Sequence, residues 1–169
     1  DMKNGIEEFV KNSQLDIENL DLGKDFKDAA KAHEIIMNGS IANSLINYYQ
    51  ADKSNLHPFT VKRIEAGIPV SASDYVSAIE KAKKMEQTLR QFFLKYDAII
   101  TPAAPGQAPR DLMNTGNAIF NGYWTMMGVP AISLPLLKGK DNLPIGVQII
   151  TAWKEDDKLL SISKFLFDT

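Results

Sequence analysis

The sequence predicts an α/β fold, and three of its features support that class. Apolar residues recur three and four positions apart through most of the first half, which is the spacing of amphipathic helices. In the second half, short apolar segments alternate with helical ones. Residues 145–150 are almost continuously apolar, as expected for a strand that is covered on both faces. Because 169 residues correspond to about one domain with its own core, we expect residues 1–169 to form a single unit.

The first half is predicted to be mostly helical. In chain order, the predicted elements are a helix over 1–12, a short edge strand within 15–22, and helices over 25–49, 58–67 and 74–95. Gly39 interrupts the second helix at a cost of about 1 kcal/mol relative to alanine, so a break or kink there is one alternative. Pro58 favours the start of the third helix. Ser71 and Ser73 are competing N-caps of the fourth.

The second half alternates between strands and helices. The predicted order is a strand over 98–100, a loop over 103–111, a helix over 117–127, a strand over 131–134, a turn over 138–142, a strand over 145–150 and a helix over 156–167. Gly106 and the prolines around it exclude a helix from the loop. Gly128, followed shortly by Pro130, ends the middle helix. This order places helices between strands, as an α/β sheet requires.

Composition excludes several classes of protein. The chain has no cysteine, which removes disulfide scaffolds, thiolate nucleophiles and zinc ribbons. Its net charge of −2 is spread evenly, so neither half resembles a nucleic-acid-binding surface. No apolar run approaches the length of a membrane span, and the first residues contain no signal-peptide core. We therefore expect a cytoplasmic protein that contacts neither nucleic acid nor membrane. Because a native chain seldom starts with Asp followed by Met, we also expect this one to begin within a longer coding sequence.

Searches for catalytic and ligand-binding motifs give no match. There is no phosphate-binding glycine loop and no Gly-x-Ser-x-Gly nucleophile elbow. All ten glycines are isolated from one another. Neither His33 nor His57 has a carboxylate at a metal-ligand spacing. We therefore expect no metal site and no cofactor.

Two segments nevertheless carry residue types suited to binding a ligand. Thr101-Pro102 ends a short strand, and ligands of α/β sheets bind at the carboxyl ends of strands. Residues 115–125 are rich in glycine, asparagine and aromatic residues, which can bring polar groups into an apolar wall. The alternative is that Trp124 and Met127 are simply core residues at helical spacing. The residues alone leave both interpretations open.

Read in order, five segments resemble the amidase signature family of amide hydrolases. They are Tyr96–Pro105, Thr115–Asn121, Trp124–Pro135, Leu143–Ile150, and the group formed by Asp156 with Leu159 and Leu160. Their order and spacing make the resemblance specific from residue 96 onward, and it is looser upstream. The resemblance implies that this chain is the C-terminal third of such an enzyme and supplies part of a mixed sheet flanked by helices.

The resemblance also implies a mechanism. Amidase signature enzymes use a Ser–cis-Ser–Lys triad, in which a neutral lysine draws a proton through the bridging serine and the other serine attacks the amide carbonyl. This sequence contains neither a Ser-Ser nor a Gly-Gly pair. No catalytic residue is therefore assigned. We expect the triad to lie upstream of this chain and the chain to be inactive alone.

By the same resemblance, one side of a substrate pocket is expected from five residues, Thr101, Pro102, Asn121, Trp124 and Thr125. The implied partners are a small-molecule amide, bound through the full-length enzyme, and the rest of the amidase chain. Because a strand such as 145–150 needs neighbours on both sides, we expect the isolated chain to self-associate, which is compatible with a homo-oligomer.

Two alternative functions remain open. The amidase signature family also contains components of tRNA-dependent amidotransferases, so this chain could be similar to the A subunit of such a complex. Ammonia transfer that depends on a partner protein would favour that reading. The second alternative is a non-catalytic, stand-alone interaction module, which a native polypeptide of only 18.8 kDa would favour.

Overall fold

The computed structural model describes residues 2–13, 15–111 and 113–168. They divide into two units. The first, here called the sheet unit, combines the residues up to Leu22 with those from Thr88 onward. The second, here called the helical unit, is Gly23–Gln87. That residues 1–169 belong to a single amidase-like domain stays a prediction.

Three strands form the sheet, namely β1 (Ile99–Pro102), β2 (Ala131–Lys138) and β3 (Pro144–Ile150). Their order is β1-β3-β2, and both pairs are antiparallel. β2 and β3 are joined by a tight turn, in which the Gly139 N–H donates to the Leu143 carbonyl at 2.8 Å. A connection this short can join only antiparallel neighbours. β3 is the central strand, and its residues 147–150 are buried on both faces of the sheet.

The core of the sheet unit lies on one face of this sheet. Its buried residues are Leu134, Val147, Ile149, Leu159 and Leu166. Two of them belong to α6 (Asp156–Asp168), and Phe9 of α1 (Met2–Asn12) packs against the same cluster. Burying one such aliphatic side chain contributes roughly 1.5–3 kcal/mol, so this cluster contributes substantially to the stability of the unit.

Trp153 contacts two further segments of the sheet unit. Its indole Nε1 donates to the carbonyl of Met127, the last residue of α5 (Ile119–Met127), at 2.8 Å. The Arg90 guanidinium carbon lies 4.1 Å from the centre of the indole ring. α5 itself ends because Gly128 adopts a left-handed conformation, with φ of 65°. The helix therefore turns sharply into β2.

The helical unit is built from α2 (Ala29–Asp52), α3 (Pro58–Gly67) and most of α4 (Ala72–Phe92). α3 approaches α2 closely where Gly67 lies against the backbone of Asn38. A Cβ at position 67 would fall on the Asn38 carbonyl, 2.6 Å from its carbon, and 2.7 Å from the Cβ of Ala42. The absence of a side chain at Gly67 therefore permits this helix crossing.

Most predicted elements are confirmed, and the α/β class with them. α3 has the predicted bounds of 58–67. Of the two competing caps of α4, the structure favours Ser71, whose Oγ accepts the Asp74 N–H at 3.0 Å. α2 runs through Gly39 without the break that glycine could have caused. A Cβ there would lie 3.0 Å from the Tyr75 ring, so the missing side chain makes room for an aromatic residue of α4.

The strand predicted within 15–22 is wrong, because the residues described there form neither strand nor helix. Glu18 accepts hydrogen bonds from the Tyr96 hydroxyl at 2.6 Å and from the Lys95 ammonium at 2.9 Å. These contacts lower the pKa of Glu18, the Tyr96 hydrogen bond contributing most. The leucines and carboxylates thus alternate in an irregular segment that Glu18 attaches to Lys95 and Tyr96.

One global property of the described helices bears on the predicted location of the protein. Among residues 2–13, 15–111 and 113–168, none of the helices combines the length and the apolar character that crossing a bilayer requires. The cytoplasmic location stays a prediction.

Candidate functional site

The face of the sheet opposite the core is polar along one row. Thr101 of β1, Gln148 of β3 and Ser133 of β2 are direct partners in the strand register. Residues opposite each other in adjacent strands project to the same face, so the three side chains form a line across the sheet. We call this line, with Asn121 of α5, the polar row.

Gln148 is the centre of the polar row. Its side chain is buried, with 6% exposure, and its Nε2 donates to the Asn121 Oδ1. Its Oε1 lies 3.4 Å from the Thr101 hydroxyl, which donates to it. A buried amide that kept neither partner would cost about 1–3 kcal/mol, so these contacts fix the orientation of the side chain. Two sequence-predicted site residues, Thr101 and Asn121, are therefore brought together by a third that sequence reasoning missed.

A signal for Gln148 was present in the sequence. It is the one side chain capable of strong hydrogen bonds in the apolar stretch 145–150. A glutamine at the centre of a covered strand must find partners on neighbouring elements. Only the strand register, however, reveals that those partners are on β1 and α5.

Gly146 lies two residues before Gln148 and so faces the same way. A Cβ at this position would be 2.5 Å from the Ser133 Oγ and 2.9 Å from the Ala103 Cβ. The Ala103 N–H donates to the Gly146 carbonyl at 2.9 Å, extending the β1–β3 pairing one residue beyond Pro102. The glycine therefore lets β1 and β2 bring small side chains close together at this end of the polar row.

Trp124 lies three residues after Asn121 on α5, so both project from one side of the helix. Its ring is buried, with 3% exposure. Within the described part of the chain, its indole Nε1 has no hydrogen-bond partner. An unpaired buried N–H is uncommon and retains the capacity to donate to an oxygen that reaches it. The burial also agrees with the alternative of a packing role for this ring.

The other two predicted site residues lie outside the polar row. Pro102 pairs in register with Val147, a fully buried core residue, so it faces the opposite side of the sheet from Thr101. Thr125 of α5 is exposed to solvent. The structure thus groups Thr101, Asn121 and, by helical position, Trp124.

The chemistry of the polar row is hydrogen bonding without charge. Thr101, Asn121, Ser133 and Gln148 offer hydroxyl and amide groups, none of which ionises near neutral pH. Such a set can orient a neutral polar ligand but supplies no general acid or base of suitable pKa. Across the residues that the structure describes, no three histidines or carboxylates are grouped so that they could hold a metal ion.

These observations define the class of the protein as α/β, with an amide-lined face above a small antiparallel sheet. The family model for amidases matches residues 18–160. The chain therefore belongs to the amidase family, and the resemblance noted in its sequence is confirmed.

Curated relatives include the A subunit of glutamyl-tRNA(Gln) amidotransferase from two bacteria. The protein of Acinetobacter baumannii (strain AYE) is 34% identical over 132 residues, which cover 70% of this chain and 26% of the relative. That of Maricaulis maris (strain MCS10) is 30% identical over 120 residues, covering 64% of this chain and 24% of the relative. The chain thus spans about a quarter of the length of these relatives.

Solved structures of amidases share the fold at low sequence identity. A crystal structure described as an amidase has a TM-score of 0.85 at 18% identity, covering 98% of this chain and 40% of the other. An allophanate hydrolase variant of Kluyveromyces lactis has a TM-score of 0.76 at 18% identity, covering 99% and 29%. For 6-aminohexanoate cyclic dimer hydrolase complexed with substrate, the values are 0.72 and 19%, covering 96% and 39%. These likenesses establish the fold.

Proposed function

We propose that this chain forms one wall of the substrate site of an amide hydrolase, whose nucleophilic serine, bridging serine and lysine lie outside these 169 residues. Membership of the amidase family supports hydrolysis of a carbon–nitrogen bond. The chain spans 40% or less of the relatives described above, which leaves room in such proteins for a catalytic region elsewhere. The absence of a Ser-Ser pair from the sequence points the same way.

The observation that carries the proposal is the hydrogen bonding of the polar row. The Asn121 Oδ1 is occupied by Gln148. Within the described residues, neither the Asn121 Nδ2 nor the Ser133 Oγ has a hydrogen-bond partner. An amide donor and a hydroxyl match the carbonyl and N–H groups of an amide substrate. The polar row would hold such a substrate while groups elsewhere attack its carbonyl.

The reaction then requires only binding and orientation from this chain. A neutral lysine takes a proton through the bridging serine, the second serine forms the acyl-enzyme, and water releases the acid. Fixing the amide at the correct distance removes much of the entropic barrier to that attack. Gln148, which is buried and hydrogen-bonded to both Thr101 and Asn121, holds these two side chains in place.

The test starts from the polypeptide that contains this chain in its source, identified by immunoblotting. We expect it to exceed 18.8 kDa and to release ammonia or amine from amides, whereas the isolated 169 residues show no turnover. In the full polypeptide, Asn121→Ala should raise KM about tenfold, the equivalent of one lost hydrogen bond of about 1.4 kcal/mol. The matched control is Asn47→Ala on the exposed surface of α2, which should leave KM unchanged.

A native polypeptide of 18.8 kDa without turnover would contradict the proposal. So would amide hydrolysis by the isolated chain that a point substitution within it abolishes. An unchanged KM in Asn121→Ala would remove the polar row from the substrate site while leaving the amidase assignment intact.

A second function is favoured by the curated relatives, which carry the name of an amidotransferase component. In this case the same site would release ammonia from an amide donor for transfer, and other proteins of the complex would bind the tRNA. The two functions differ in their dependence on partners. Ammonia release that requires a co-purifying protein and aminoacylated tRNA would support the amidotransferase, and release by the single polypeptide would support the hydrolase.

A further inference from the structure

The loop between β1 and α5, residues 103–118, connects the two elements that hold the polar row. It starts two residues after Thr101 and ends three residues before Asn121. β1 is antiparallel to β3 and ends where Pro102 pairs with Val147, near the start of β3. The β2–β3 turn leads into that start, so the loop leaves β1 at the same end of the sheet. The position of this loop therefore bears on the spacing between β1 and α5.

Asp141 in the β2–β3 turn holds the loop. The Asp141 Oδ2 accepts a hydrogen bond from the Gln107 Nε2 at 2.5 Å, and its Oδ1 accepts one from the Arg110 guanidinium at 2.5 Å. The Asp141 N–H donates in return to the Gln107 Oε1 at 3.3 Å. Two of these bonds end on the Asp141 carboxylate, and one of the two comes from the Arg110 guanidinium. Hydrogen bonds of this kind belong to the stronger class in proteins.

Two residues of the β2–β3 turn, Gly139 and Asn142, make this contact possible. Gly139 has no side chain, and a Cβ there would lie 3.0 Å from the Gln107 Cβ and closer still to its amide oxygen. Asn142 adopts a left-handed conformation, with φ of 59°, and its N–H donates to the Gly139 carbonyl at 3.0 Å. The backbone of the turn thus presents the Asp141 carboxylate to the loop and leaves space for Gln107.

The loop depends strongly on this contact. From 104 to 118, the residues that the structure describes are exposed or half-buried. Asp141 of the β2–β3 turn makes three hydrogen bonds to two of them, Gln107 and Arg110. Others, such as Met113 N–H to the Asp111 carboxylate, are local to the loop. An exposed segment adopts more conformations once its main tether is cut.

We propose that Asp141 is a positioning residue that fixes the β1–α5 loop and thereby holds the polar row in its substrate-binding geometry. The inference rests on the proposed function of that row. Among the described residues, the hydrogen bonds of the Asp141 carboxylate go to Gln107 and Arg110 and not to the polar row, so it acts through these two side chains. Its loss should loosen the loop and weaken substrate binding while leaving the chemical step in place.

The test compares two aspartate-to-asparagine substitutions in the polypeptide that contains this chain. Asp141→Asn removes the carboxylate that holds the loop. Asp97→Asn is the control of equal charge, because it removes a carboxylate that pairs with Lys158 at 3.0 Å, outside the loop. The Asp97 side chain is more exposed than that of Asp141, at 84% against 36%. Gly139→Ala is a second test variant, which displaces Gln107 without changing any charge.

Two measurements distinguish an effect on the mobility of the loop from an effect on substrate binding. Limited trypsin digestion measures cleavage after Arg110, identified by sequencing the fragment that starts at Asp111. We expect cleavage about tenfold faster in Asp141→Asn and in Gly139→Ala, and unchanged in Asp97→Asn. Amide turnover measures KM, which should rise about three- to tenfold in the two test variants with kcat nearly constant.

The outcomes are distinct. Cleavage at the wild-type rate in both test variants would overturn the inference, because Asp141 would not hold the loop. Faster cleavage with an unchanged KM would also overturn it, since the loop would then not affect binding. If wild-type polypeptide hydrolyses no amide, the proposed function fails, and the cleavage rate still decides whether Asp141 fixes the loop.

Discussion

Replacing Gly67 by alanine is expected to destabilise the helical unit by about 2 kcal/mol. Alanine favours helix over glycine by up to about 1 kcal/mol, so propensity alone predicts stabilisation. The packing of α3 against α2 opposes this stabilisation. The new Cβ would fall on the Asn38 carbonyl and 2.7 Å from the Ala42 Cβ, where ordinary contact begins at 3.4 Å. Clearing the Asn38 carbonyl carbon, at 2.6 Å, would require α3 to move about 0.8 Å away from α2, and clearing the carbonyl oxygen would require more.

The obstacle is backbone, which cannot rotate away as a flexible side chain can. Overpacking of this kind typically costs about 1–3 kcal/mol, and loosening the buried contact between Asn38 and its neighbours adds to it. The net effect after the propensity gain is therefore a loss of about 2 kcal/mol. Urea denaturation followed by circular dichroism at 222 nm measures it through the midpoint.

Gly106→Ala is the matched control, since no atom lies within 4 Å of the Cβ that it would add. It should change the free energy of unfolding by less than about 0.5 kcal/mol. If Gly67→Ala proves as stable as this control, or more stable than the parent, the close approach of α2 and α3 is not what requires glycine at position 67.

Three further substitutions test separate contacts. Ser163→Ala removes a buried hydroxyl that has no partner among the described residues. We expect the free energy of unfolding, measured by thermal denaturation, to rise by about 1 kcal/mol, and to stay unchanged in the exposed control Ser161→Ala. Trp153→Phe leaves the buried Met127 carbonyl without its 2.8 Å donor and should cost about 1–2 kcal/mol by urea midpoint; an unchanged midpoint would show that the contact contributes nothing. Glu18 has a folded-state pKa below 4.5, so the stability it contributes is present above that value and disappears as the pH falls through the lower folded pKa. Glu18→Gln should therefore lower the melting temperature at neutral pH and have little effect in acid, and an equal effect at both pH values would contradict this linkage.

Local patterns in the sequence were sufficient to predict most of the helices. Pro58 at the first position of α3 and the Ser71 cap of α4 are signals that act within one turn of helix. The strand predicted within 15–22 failed because alternation does not show whether a partner strand exists. Glu18 finds its partners in Lys95 and Tyr96, far away in the chain.

The candidate site was predicted only in part for a related reason. Thr101 and Asn121 could be named as candidates because each lies in a segment with a recognisable composition. Gln148 connects them, but its role depends on strand register and on the packing of α5, and neither is written in local sequence. The tether at Asp141 was missed because it depends on a turn and a loop that are adjacent only in the folded chain.

The division of the chain into two units has a consequence for synthesis on the ribosome. The helical unit, Gly23–Gln87, is inserted between two segments of the sheet unit. α1 emerges first, yet Phe9 packs on a core whose strands begin only at Ile99 and whose last helix ends at Asp168. The helical unit can close its local contacts long before then, at a lower entropic cost of loop closure. The apolar side of α1 therefore stays uncovered until nearly the whole of this segment has been translated.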